Sequence, residues 1–103
     1  MHFGRWYPLD DGARLAPAGP GVFQVRLAAG LRAYPTGRSA MVHYQVAADV
    51  RAAVTAFAAA NPGRGWLCRH TVDLTPEDAD DIDAFFARLV RDFRARFGTE
   101  PAP

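Results

Sequence analysis

Between Thr75 and Gly98 the chain carries Ile82, Phe85, Phe86, Leu89, Val90, Phe93 and Phe97 at i, i+3, i+4, i+7, i+8, i+11 and i+15. That spacing draws one continuous apolar stripe along a helix of period 3.6. A helix striped on one side cannot bury its apolar face alone and needs a second layer against it. Its limits are also legible. Thr75 offers an N-cap hydroxyl, Pro76 suits the first helical position, Glu77 and Asp78 put carboxylates in the first turn, and Gly98 ends it. Arg88, Arg91, Arg94 and Arg96 crowd the other end, where they complement the helix dipole. The stripe predicts a helix near 76–97 that is the main support of the core.

The layer that covers it must come from upstream. Phe23, Val25 and Leu27 alternate, and Pro35-Thr36-Gly37 is a turn signal. Next, Ala40, Val42, Tyr44 and Val46 share one face against Met41, His43 and Gln45 on the other. Asp49 precedes an alanine-rich run whose Val50, Val54 and Phe57 recur at helical spacing, and Asn61-Pro62-Gly63 stops it. Trp66, Cys68, His70, Val72 and Leu74 alternate once more. These patterns predict strands near 21–29, 40–46 and 66–74 and helices near 49–61 and 76–97. The fold class is α/β of the α+β kind: a small three-stranded sheet with two flanking helices, in the order β-β-α-β-α. Residues 1–20, punctuated by Gly4, Pro8, Gly12, Pro17, Gly19 and Pro20, read as an irregular aromatic arm. Its Phe3, Trp6 and Tyr7 are too apolar to leave in water, so the arm packs on the core or on a partner. Residues 21–98 form a single α/β domain and 99–103 a C-terminal tail; 103 residues leave no room for a second core.

One cysteine excludes an internal disulfide framework and a multi-cysteine zinc site. No run approaches the length of about 18 apolar residues that a membrane span needs, and Met1 to Gly12 has no signal-peptide core. A soluble cytoplasmic protein without a membrane partner is the expectation. All twelve basic residues are arginine. Residues 1–70 carry eight of them against three acidic groups, whereas residues 71–103 carry four against eight, so the front is basic and the back acidic. Six arginines lie between Arg26 and Arg69 against Asp49 alone. Arg26, Arg38, Arg51 and Arg64 are the candidates for a phosphate-binding face.

Other constellations read blandly. Cys68 and His70 point to one face with Trp66 and Val72, which is a packed core; His43, with Gln45, lies opposite the apolar positions of its strand and is exposed or in a groove. The carboxylates Glu77, Asp78, Asp80, Asp81 and Asp83 serve the helix start, and Gly63-Arg64-Gly65 is a turn rather than a phosphate loop. No cofactor is expected from these residues.

The element order, with Gly21-Val22-Phe23 opening the first strand, resembles the GIY-YIG nuclease domain over about residues 20–98. In that family a glycine–aliphatic–tyrosine motif is followed by tyrosine–aliphatic–glycine on the second strand, a helix with a catalytic arginine, and a metal-holding glutamate. In one register His43 takes the tyrosine position, Gln45 the glycine and Ala53 the arginine, with Arg51 two positions away, about 200° around the helix. In the other, Tyr34-Pro35-Thr36-Gly37-Arg38 supplies the second motif. Phe23 replaces a tyrosine, and Glu77 is the candidate glutamate. The resemblance implies a non-catalytic relative that binds nucleic acid, DNA or RNA, or a protein partner through its basic face. The alternative is an active endonuclease using Tyr34 or His43 with Arg38 and Arg51, and Glu77 as ligand for Mg²⁺ or Mn²⁺. A third reading is a protein-interaction module that docks its aromatic arm or acidic helix without nucleic acid.

Overall fold

The computed structural model describes residues 1–103. Its strands are β1 (His2–Phe3), β2 (Tyr7–Pro8), β3 (Gly21–Arg26), β4 (Arg32–Tyr34), β5 (Gly37–Ser39), β6 (Met41–Ala47) and β7 (Leu67–Val72). Its helices are α1 (Gly12–Leu15), α2 (Val50–Ala60) and α3 (Pro76–Phe97), with a 3₁₀ turn at Leu9–Asp11.

The sheet has five strands rather than the expected three. β3 is central, antiparallel to β6 on one side and to β7 on the other. The outer edge of β7 is then taken by the N-terminal arm, β1 against Val72 and Thr71, β2 against Cys68 and Leu67. Residues 1–20 are therefore irregular only in part: strands of two residues, one ending before Gly4 and one at Pro8, are too short to show alternation, yet their backbone completes the ladder. β3 ends at Arg26, short of the expected 29, and its register against β6 slips between Val25 and Arg26. The Pro35-Thr36-Gly37 signal does form a turn, closing a separate β4–β5 hairpin with Tyr34 opposite Gly37.

Helix limits follow the capping chemistry. The Asp49 side chain accepts from the Ala52 amide at 3.1 Å and starts α2. Thr75 and Asp78 form a reciprocal capping box on α3, each side chain accepting from the other's amide at 3.1 Å. Gly98 ends α3 at φ 86°, a left-handed conformation that glycine adopts without strain. α1 crosses α2 so closely that a Cβ on Gly12 would drive into the Val54 side chain.

The two sheet faces are covered unequally, and here the expected core moves. Phe23, Val25 and Cys68 on one face bury against Val50 and Val54 of α2, with Leu9, Ala16, Val42 and Trp66 completing the cluster. No residue of α3 belongs to it. On the other face α3 buries only Ile82 and Phe93, and the rest of its stripe is half-buried. The stripe was long enough to find the helix, but the denser packing lies across the sheet. No helix of the chain is long and apolar enough to cross a membrane.

Candidate functional site

Side chains alternate along a strand, so the pairing of Gln24 with Tyr44 and Arg69 sets those three on the face that carries α3. Tyr44 touches Phe93 of α3 there, with ring centroids 5.6 Å apart. Arg26 lies two residues beyond Gln24 on β3. Trp6, from the turn between β1 and β2, meets both arginines: its ring centre is 4.5 Å from the Arg26 guanidinium carbon and 4.4 Å from that of Arg69. Arg69 also lies 4.7 Å from the centre of the Phe3 ring, and its Nε donates to Gln24 Oε1 at 2.7 Å. Gln24 is buried, while both arginines, Tyr44, Trp6 and Phe3 are half-buried.

Charge here is unbalanced. Arg14, Arg91 and Arg94 pair with Asp11, Asp92 and Glu100, but neither Arg26 nor Arg69 has a carboxylate within ion-pair distance. Burial pulls the Arg69 guanidinium below its ordinary range, and the like charge of Arg26 adds to the effect. Burial also pushes the Tyr44 hydroxyl up to about 12. Arg26 Nε is buried with no hydrogen-bond partner. An orphaned buried donor costs about 1–3 kcal/mol. Two half-buried cations, one of them short of an acceptor, form a site that an anion would complete.

The four arginines expected to form the basic face do not converge. Arg26 belongs to the site just described. Arg38 is exposed on β5. Arg51 turns to the arm and donates to the Ala16 carbonyl at 2.6 Å. Arg64 lies over Trp66 at 5.4 Å, where Arg32 joins it at 5.8 Å. Arg69, Gln24 and Tyr44 are not site residues in the sequence reading, and Trp6 enters it only as part of an arm that packs on the core or on a partner. Strand parity sets Arg69 opposite Cys68 and His70, which is a usable signal; nothing local marks Trp6.

The residues named for cleavage are likewise dispersed. Tyr34 packs on Phe93 and Phe97, and its hydroxyl donates to the Met41 carbonyl. His43 lies on the α2 side of the sheet, stacked on Phe57 with centroids 4.1 Å apart and bonded to Gln45 at 2.8 Å. It is thus neither exposed nor in a groove: both faces of the sheet are covered by a helix, so alternation alone could not assign it. Burial holds its imidazole below the ordinary range. Glu77 is exposed on the first turn of α3, whereas Arg51 is on the first turn of α2 with its Nε held by the Ala16 carbonyl, and no three His, Cys, Asp or Glu side chains gather around a common point.

Cys68 is buried, as its packed face predicts, and its thiol is pushed up to about 11 by that burial. Beside it the Tyr7 hydroxyl bonds His70 Nδ1 at 2.8 Å, and burial lowers the His70 imidazole and raises the phenol. The three groups are neutral near pH 7, which is the state of a satisfied core and not of an activated nucleophile.

No family model, curated protein or solved structure matches the chain.

Proposed function

We propose that the chain is a non-catalytic, GIY-YIG-like α+β domain that binds nucleic acid through the sheet face of Arg26, Arg69 and Trp6. The observation that carries this reading is one indole ring whose centre lies 4.5 and 4.4 Å from two guanidiniums that have no carboxylate partner. Guanidinium is weakly hydrated and its planar fork matches phosphate oxygens, so the arginine pair would release counterions on contact with a strand. Aromatic rings beside a basic track are what sequence-tolerant single-strand binding uses. Once the arm and the β4–β5 hairpin are set aside, the succession β3, β6, α2, β7, α3 is compatible with the kinship. The scatter of Tyr34, His43, Arg51 and Glu77 favours binding over cleavage.

Fluorescence anisotropy tests the reading, with single-stranded and duplex oligonucleotides at about 20–50 mM salt, where phosphate contacts are least screened. Each phosphate neutralised adds about −0.7 to −0.9 to the slope of log K against log salt. Binding is expected in the wild type, lost in Arg26→Ala with Arg69→Ala, and little changed in Arg38→Ala with Arg51→Ala. No binding at the lowest salt would leave the protein-interaction module as the surviving account.

A further inference from the structure

We propose that Arg26 and Arg69 form a seat for one phosphate monoester, the terminal phosphate of a nucleic-acid strand; this rests on the nucleic-acid reading above and narrows it. Three observations favour an end group over a passing backbone. The first is charge. The two cations share a single indole ring and meet no carboxylate. A backbone diester brings one negative charge and answers one of them. A monoester carries about −1.5 to −2 near neutral pH, enough to answer both.

The second is the donor set. Arg26 Nε is buried and unpartnered, whereas Arg69 Nε is already committed to Gln24 Oε1. That bond leaves the terminal nitrogens of Arg69 for a ligand and turns the amide nitrogen of Gln24, which is a donor only, to the other side of the group. The seat therefore offers donors from β3 and β7, and the one acceptor among these three side chains, Gln24 Oε1, already takes the Arg69 Nε proton. Such a site suits an oxyanion with several unfilled lone pairs.

The third is rigidity. Gln24 is 2 % exposed, fixed on the central strand, and its bond to Arg69 holds that guanidinium in place. Trp6 and Phe3 brace the same group from the arm. A preorganised fork spends little entropy on capture, and partial burial strengthens each charge-assisted bond.

The test uses one short fluorescent oligonucleotide, labelled internally, in three forms: 5′-phosphate, 3′-phosphate and hydroxyl at both ends. Anisotropy is read for the wild type, Arg26→Gln, Arg69→Gln and Arg69→Lys, with each variant's fold checked by circular dichroism. One phosphorylated form is expected to bind about tenfold more tightly than the hydroxyl form. Arg26→Gln and Arg69→Gln should erase that preference while retaining weak binding of all three forms. Arg69→Lys, which keeps the charge and loses the fork, should reduce it. Inorganic phosphate should compete away the preference and change the tryptophan fluorescence of the wild type but not that of Trp6→Phe, in which Trp66 is the remaining indole. Equal affinity of the wild type for all three forms would overturn the seat and leave the broader binding reading standing. A phosphate-dependent change in Trp6 with no binding of any oligonucleotide would overturn the strand end as the source, and the nucleic-acid reading with it; the anion would then come from a phosphorylated protein.

Discussion

Phe93→Ala is the substitution that separates the two halves of the α3 stripe. Phe93 is 5 % exposed, and its ring centre lies 5.1, 5.6 and 4.5 Å from those of Tyr34, Tyr44 and Phe97. Truncation of a buried phenylalanine costs about 3–5 kcal/mol, of which each lost aromatic pair supplies about 0.5–1.5. Because α3 is covered on one side only, its neighbours can close part of the void, so the lower end, about 3 kcal/mol, is expected. Phe86 sits on the same stripe but is half-buried. Its loss should cost about 1 kcal/mol, in proportion to the smaller area returned to water. At about 4 °C per kcal/mol for a domain of this size, the melting points should fall by about 12 °C and about 4 °C. Urea titrations followed by circular dichroism give both free energies, and an unchanged m-value would confirm that the unfolded reference is shared. A Phe86→Ala loss equal to that of Phe93→Ala, or a Phe93→Ala loss under about 1 kcal/mol, would refute the assigned face.

Three further outcomes follow from the geometry. Purified protein should not nick plasmid DNA with Mg²⁺ or Mn²⁺, because Tyr34, His43, Arg51 and Glu77 do not share a site; turnover that disappears in Glu77→Ala would reverse this. Thr75→Ala, which breaks the capping box at the start of α3, should cost about 1 kcal/mol in the same urea assay, and no loss would show that the box is not formed in solution. Stability should fall as pH drops from about 7 toward 5, because His43 and His70 are held below the ordinary imidazole range by burial. The unfolded chain then binds protons first, starting near pH 6.5. His43→Gln should flatten that slope, and an unaltered slope would place the imidazole in water.

The sequence was most informative where chemistry is local. Thr75, Pro76 and Gly98 bound α3, Asp49 starts α2, and Pro35-Thr36-Gly37 turns the chain, because caps and turns are decided by residues within four positions of each other. It was least informative where partners are remote. On β6 the expected inward face, with Val42 and Tyr44, does pack, but helices cover both sides of the sheet, so Tyr44 and His43 each meet an aromatic ring and polarity does not choose between them. Likewise the charge count found an arginine-rich stretch but not its geometry. Arg26 and Arg69 are neighbours through strand pairing, whereas Arg38, Arg51 and Arg64, equally basic, diverge on a hairpin, a helix and a loop.

The arm that completes the sheet also sets an order of events in time. Tyr7 bonds His70 across 63 residues, and β1 and β2 have no other strand to pair with than β7. During synthesis, Phe3, Trp6 and Tyr7 therefore wait in water until residues 67–72 have left the ribosome, and β3 waits with them for its second neighbour. The β4–β5 hairpin and the helices can form locally, but this wide loop must still close before the sheet is complete, and long-range strand pairing of that kind is slow. The delay also makes the waiting aromatic arm the segment on which a chaperone, or another nascent chain, would first act.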